Sequence, residues 1–122
     1  MPPTNMLIIM ADQHNPKMLG SFGHECVKTP NLNALASRGT RFDRAYTNSP
    51  LCVPARASFA TGRYVHDHSC WDNAIAYDGR QRSWGHRLQE AGNPVVSIGK
   101  LHYRSERDDT GFDEQIIPMH IM

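Results

Sequence analysis

Leu51-Cys52-Val53-Pro54-Ala55-Arg56-Ala57-Ser58-Phe59-Ala60-Thr61-Gly62-Arg63 sets a cysteine just before a proline-started helix, with an arginine one turn further on. Pro54 suits a first turn, because the N–H it lacks has no partner there. Gly62 suits the helix end. Cys52 is therefore expected near the N-cap, where unsatisfied N–H groups and the helix dipole favour negative charge. Arg56 adds a formal positive charge at the same end. These residues alone leave several readings open. One is a structural cysteine and another is a thiolate nucleophile. A phosphatase-type loop would carry its arginine where Ser58 stands, and the local signature of a papain-like cysteine is absent.

The surrounding composition narrows the field. In 122 residues, 13 Lys and Arg face 12 Asp and Glu. Balanced charge argues against a nucleic-acid or membrane-surface partner held by bulk electrostatics. No apolar run approaches the length of a membrane span. Met1-Pro2-Pro3-Thr4-Asn5 lacks the basic start and small-residue cleavage site of a signal peptide. Cys26, Cys52 and Cys70 are odd in number and widely spaced, which fits neither a disulfide scaffold nor a CxxC zinc site. A reducing, cytoplasmic location is the inference. Cys26 and Cys70 are read as small buried apolar residues.

Outward from the quoted stretch, strands and helices alternate. Met6-Leu7-Ile8-Ile9-Met10 reads as a strand buried on both faces. Thr29-Pro30-Asn31 opens a helix with Leu32, Leu35 and Ala36 on its apolar stripe, ending near Gly39. Thr40 to Tyr46 alternates weakly, as a strand would. Ser83 caps a third helix running to Ala91, with Trp84, Leu88 and Ala91 on one side. Pro94 to Ile98 reads as a second buried strand. Ser105 to Glu114 is a charged loop, and Ile116 to Met122 is an apolar segment with no closing element. The expected class is α/β, a mostly parallel sheet flanked by helices and incomplete as it stands. Ligands of such sheets gather beyond the carboxyl ends of the strands, where Asp12, Lys100 and His102 follow their strands.

Cys52-Val53-Pro54-Ala55-Arg56 followed by Thr61-Gly62-Arg63 resembles the signature of the type I sulfatases, members of the alkaline-phosphatase superfamily. Asn5 to Gln13 resembles their opening strand and metal-binding aspartate, although Gln13 stands where many sulfatases have a second aspartate. Lys28-Thr29-Pro30-Asn31-Leu32 resembles their first helix, and Gly99-Lys100-Leu101-His102 their Gly-Lys-x-His segment. Asp12-Gln13 with Asp72-Asn73 is similar to the choline-sulfatase-like and phosphonate-monoesterase branch. The resemblance covers nearly the whole chain in the family's order. It implies an alkaline-phosphatase-like fold and residues 1–122 as the N-terminal portion of a sulfatase catalytic domain.

The resemblance also implies the chemistry. Cys52 would be oxidised to formylglycine by a formylglycine-generating enzyme, and the hydrated aldehyde would bear two hydroxyls. One would attack the sulfur of a small sulfate ester, giving a covalent intermediate. Loss of the other's proton would then expel sulfate and restore the aldehyde. A divalent cation, Ca²⁺ first with Mg²⁺ or Mn²⁺ as alternatives, would be held by Asp12 and the modified Cys52. Arg56 would steady the diol, Lys100 would bridge it to the sulfate oxygens, and His102 would take part in proton transfer. Asn73 would donate to a sulfate oxygen. His66-Asp67-His68 looks metal-like, but the resemblance gives it no role, and it is read as a loop. A homo-oligomer is compatible with all of this. The alternatives are a phosphonate or phosphodiester hydrolase of the same superfamily, and a truncated, non-catalytic fragment.

Overall fold

The computed structural model describes residues 5–121. They form two compact units that divide between Ala45 and Tyr46.

The first unit is held by hydrogen bonds more than by a core. Two single turns, Pro16–Met18 and Gly20–Phe22, precede helix α1, Pro30–Ser37. Pro30 opens α1 as expected. Thr29, the residue before it, does not cap the helix with its side chain. Its hydroxyl instead accepts from the Gly20 amide at 2.9 Å and donates to Asn33 Oδ1 at 3.0 Å. Arg41 lies 4.7 Å over the Phe22 ring and donates to the Ser21 carbonyl at 2.9 Å.

Two expected strands are not strands here. Met6–Met10 has no ladder partner among the described residues, and Leu7 and Ile9 are each 84% exposed. A strand needs backbone pairing as well as an apolar sequence, and among the described residues only one pair of strands supplies it. Thr40–Tyr46 is likewise extended or turn, with Phe42 and Tyr46 exposed.

The second unit carries the core. Helix α2, Cys52–Thr61, buries Val53, Ala57 and Ala60. Spacings of four and three put them on one helical face. This face packs with Cys70, Tyr77 and Tyr103, and Ala76, Leu101 and Phe112 flank the cluster. The Tyr77 and Tyr103 rings meet edge to face, 4.9 Å between centroids. Burial pushes the Tyr77 phenol up to about 12 and that of Tyr103 further in the same direction, so both stay neutral.

Helix α3, Val65–His68, stands where a loop was expected. Helix α4, Trp84–Glu90, opens as the sequence suggests. Ser83 Oγ accepts from the His86 amide, while His86 Nδ1 accepts from the Ser83 amide at 3.0 Å. Histidine thus takes the place of the usual acid in the capping box. The expected apolar stripe of α4 is only partly covered, since Trp84 and Leu88 are half-buried and Ala91 is exposed. Gly85 and His86 are the buried face, because the 109–111 backbone lies directly against them. An added Cβ at Gly85 would sit 2.2 Å from the Gly111 carbonyl oxygen.

Strand β1, Val96–Lys100, pairs in parallel with β2, Glu114–Met119, through Val96↔Glu114, Ser97↔Gln115 and Ile98↔Ile116. The late apolar segment is therefore a strand. The β1 region is buried on one face only. Val95 and Ser97 are covered, whereas Val96 is 49% and Ile98 75% exposed. The charged segment from Ser105 is a loop as expected up to Asp113, whereas Glu114 already begins β2. Arg104 pairs with Asp108 and, at 3.2 Å, with Asp78. Cys70 is buried as expected, but Cys26 is exposed, and all three cysteines are free thiols. No helix among the described residues is long and apolar enough to cross a membrane.

Gly85→Ala should destabilise the chain by about 2 kcal/mol or more, because backbone rather than a movable side chain fills the space. Denaturant unfolding measures it, and a change under about 0.5 kcal/mol would contradict this packing.

Candidate active site

Leu51 is the N-cap residue of α2, and Cys52 is its first helical residue. A leucine offers no side-chain acceptor to the first turn. The acceptor comes from elsewhere: Asn73 Oδ1 takes the Val53 N–H at 3.1 Å across 20 residues. Asn73 thus caps α2 in place of its own N-cap residue.

Lys100 reaches the same helix end from β1. Its Nζ lies 3.9 Å from Cys52 Sγ. Two backbone features aim it there. Gly99 has φ 87, a left-handed conformation open to glycine and costly for most other residues. The pairing slips between Ile98 and Lys100, so that Lys100 stands opposite Met119. Such a bulge turns the side chain away from the regular alternation. Arg56, 9% exposed, donates from Nη1 to the Lys100 carbonyl at 2.5 Å. A buried guanidinium therefore fixes the residue whose ammonium meets Cys52.

His102 follows with φ 58. Left-handed backbone at a non-glycine residue costs about 1–2 kcal/mol. The His102 N–H donates to the Met119 carbonyl at 2.7 Å, which holds this conformation. Gln13, beside Asp12 in the first unit, has a similar φ of 55. Asp12 itself is exposed, in the turn after Met10.

The second unit thus brings Cys52, Arg56, Asn73 and Lys100 together at the start of α2. A half-buried side chain facing an ammonium at a helix N-terminus suits an anionic, oxygen-rich group. That environment fits an oxygen-bearing side chain at position 52. Among the described residues no three His, Cys, Asp or Glu side chains are gathered to hold an ion by themselves, so any metal here would need further donors.

Sequence reasoning places His68 only within a metal-like triplet read as a loop, with no role of its own. His68 is 8% exposed, and its Nε2 lies 2.8 Å from Ser58 Oγ on α2. Its Nδ1 accepts from the Cys70 N–H at 3.1 Å. Burial holds its pKa below the ordinary histidine value, partly offset by Asp67.

Residues 4–117 match the family model described as Sulfatase. The chain is 40% identical over 112 residues to a choline-sulfatase of Rhizobium meliloti, covering 92% of this chain and 22% of that protein. It is 36% identical over 109 residues to an N-acetylglucosamine-6-O-sulfatase of Bacteroides thetaiotaomicron, covering 89% of this chain and 19% of that protein. A solved structure bound to its substrate, D-glucosamine-2-N,6-O-disulfate, superposes with TM-score 0.79 at 36% identity, over 85% of this chain and 21% of that one. The chain belongs to the sulfatase family, a family of hydrolases, and has its α/β, alkaline-phosphatase-like fold class. It spans about a fifth of the length of the curated relatives it matches.

Asn73→Ala should lower stability by about 1 kcal/mol, the usual cost of losing an N-cap acceptor. Asn73→Asp should lose less, since it keeps an oxygen acceptor where the helix dipole favours negative charge. Chemical denaturation compares the two, and equal losses would contradict the capping role.

Proposed function

We propose that residues 1–122 form the nucleophile-bearing N-terminal portion of the catalytic domain of a sulfuric ester hydrolase acting on a small sulfate ester. The observation that carries this reading is the approach of Lys100 Nζ to Cys52 Sγ, 3.9 Å, at the start of α2. The likeness to a choline-sulfatase and to a structure bound to a small sulfated sugar supports a small soluble ester.

In this reading Cys52 is converted to formylglycine by a formylglycine-generating enzyme. The hydrated aldehyde supplies a nucleophilic oxygen and a second hydroxyl on the same carbon, which a serine or thiol lacks. The residues around position 52 then have distinct tasks. Lys100 neutralises a sulfate oxygen, lowering the repulsion that makes sulfate esters poor electrophiles. Arg56 holds the Lys100 backbone and adds positive charge behind it. Asn73, with Oδ1 engaged by the Val53 N–H, presents its amide NH₂ as a donor to a sulfate oxygen. His102 serves in proton transfer. A divalent cation, Ca²⁺ or else Mg²⁺ or Mn²⁺, would be held by Asp12 and position 52 together with donors from the rest of a longer chain.

The test uses a full-length sulfatase carrying this segment, expressed with the modifying enzyme. Intact mass should fall by about 18 Da, the cysteine-to-aldehyde difference, and the loss should vanish in Cys52→Ala. Lys100→Ala should lower kcat on a small sulfate ester by about 100-fold, the scale for losing one oxyanion-stabilising group. Chelation should remove activity, and the divalent ion should restore it. Full turnover by Cys52→Ala would overturn the proposal, and faster turnover of a phosphonate than of a sulfate ester would reassign the substrate.

A further inference from the structure

His68, the last residue of α3, meets α2 at Ser58, away from the chemistry. Ser58, its partner, follows Cys52 by about 9 Å of helix at the usual rise per residue. Its hydrogen bonds nevertheless form one directed chain. The Cys70 N–H donates to His68 Nδ1. In the neutral ring the proton then belongs on Nε2, which donates to Ser58 Oγ at 2.8 Å. The Ser58 hydroxyl in turn donates to Asn48 Oδ1 at 3.2 Å. Asn48 lies in the segment that leads through Leu51 into α2. The chain of bonds therefore ties the approach to Cys52 against the side of its own helix and fastens both to the segment after α3.

We propose that His68 is a positioning residue for the nucleophile at position 52, acting through Ser58 and Asn48 on the entry angle of α2. This rests on the reading of Cys52 as the reacting residue. The role requires an uncharged ring. Protonation makes Nδ1 a donor, and it then faces the Cys70 N–H, a second donor, inside a buried site.

The groups around His68 are of both signs. His66 and Asp67 share its helix, and Asp67 partly opposes the effect of burial. Cys70, Asp78, Arg80 and Arg104 line the same cavity from the following segments. The folded-state pKa is depressed, so the contribution is complete above histidine's ordinary value near 6.5 and is lost as pH falls through the lower folded value. The site should loosen on the acid side.

Hydrogen exchange of residues 48–56, in the full-length protein, reads this directly. His68→Leu and Ser58→Ala should each speed exchange there several-fold relative to α4, and the double variant should be no faster than the singles. His68→Gln keeps a donor for Ser58 without a titrating group, and should restore slow exchange. Lowering pH from about 7.5 to about 5.5, through histidine's usual range, should speed exchange at 48–56 beyond the intrinsic change in wild type but not in His68→Gln. The acid limb of kcat on a sulfate ester should flatten in the same variant. Unchanged exchange in His68→Leu, or an acid response that persists in His68→Gln, would overturn the inference. Should the wild type not turn over any ester, the functional reading fails, while exchange still decides the role of His68.

Discussion

The contact on which the site depends is the one between the buried Arg56 guanidinium and the Lys100 carbonyl. It joins the first turns of α2 to the end of β1 across 44 residues of sequence. A hydrogen bond from a charged donor is worth about 1.5–3 kcal/mol. The Arg56 guanidinium thus acts as a strut. Its loss would remove this tie between the Lys100 backbone and α2, and with it one constraint on the distance from Nζ to Cys52.

Around this strut the second unit is arranged to keep α2 still. Val53, Ala57 and Ala60 bury one face of it against Cys70, Tyr77 and Tyr103. Asn73 closes its open end and His68 holds its flank. Helix α2 is thus the most buried element described, while its first side chain stays half-buried at the rim. In the proposed role, a rigid support beneath an accessible nucleophile would let the surrounding charge be preset before substrate arrives. Left-handed backbone at Gly99, inside β1, and at His102, just past it, belongs to the same arrangement, for it interrupts the regular strand alternation on either side of Lys100.

What could be read from the sequence was local. Helix starts and stops were legible because proline, serine and glycine act on their own immediate backbone, as at Pro30, Ser83 and Gly62. The signature from Cys52 to Arg63 was legible because its residues are neighbours in the chain. Pairing was not legible in the same way. Met6–Met10 has the composition of a buried strand, yet composition specifies neither a ladder partner nor a covering layer, and among the described residues it has neither strand pairing nor burial. The segment at Ile116 had the opposite fate and found β1. His68 was noted only in a metal-like triplet and given no role, because its contacts with Ser58 and Cys70 are ones that no spacing rule marks. Asn73 was noticed through the resemblance, as a sulfate contact, but its role as a distant cap depends on Leu51 having no acceptor of its own.

The central claim is that position 52 bears an oxygen-rich group held against the Lys100 ammonium by the fold. A crystal structure of the mature, full-length protein with a sulfate-bearing ligand tests it most directly. The account predicts density for an aldehyde hydrate in place of sulfur at position 52, with Lys100 Nζ in hydrogen-bond range of both that group and a sulfate oxygen. An unmodified thiol with the sulfate bound elsewhere and Lys100 turned away from it would contradict the account.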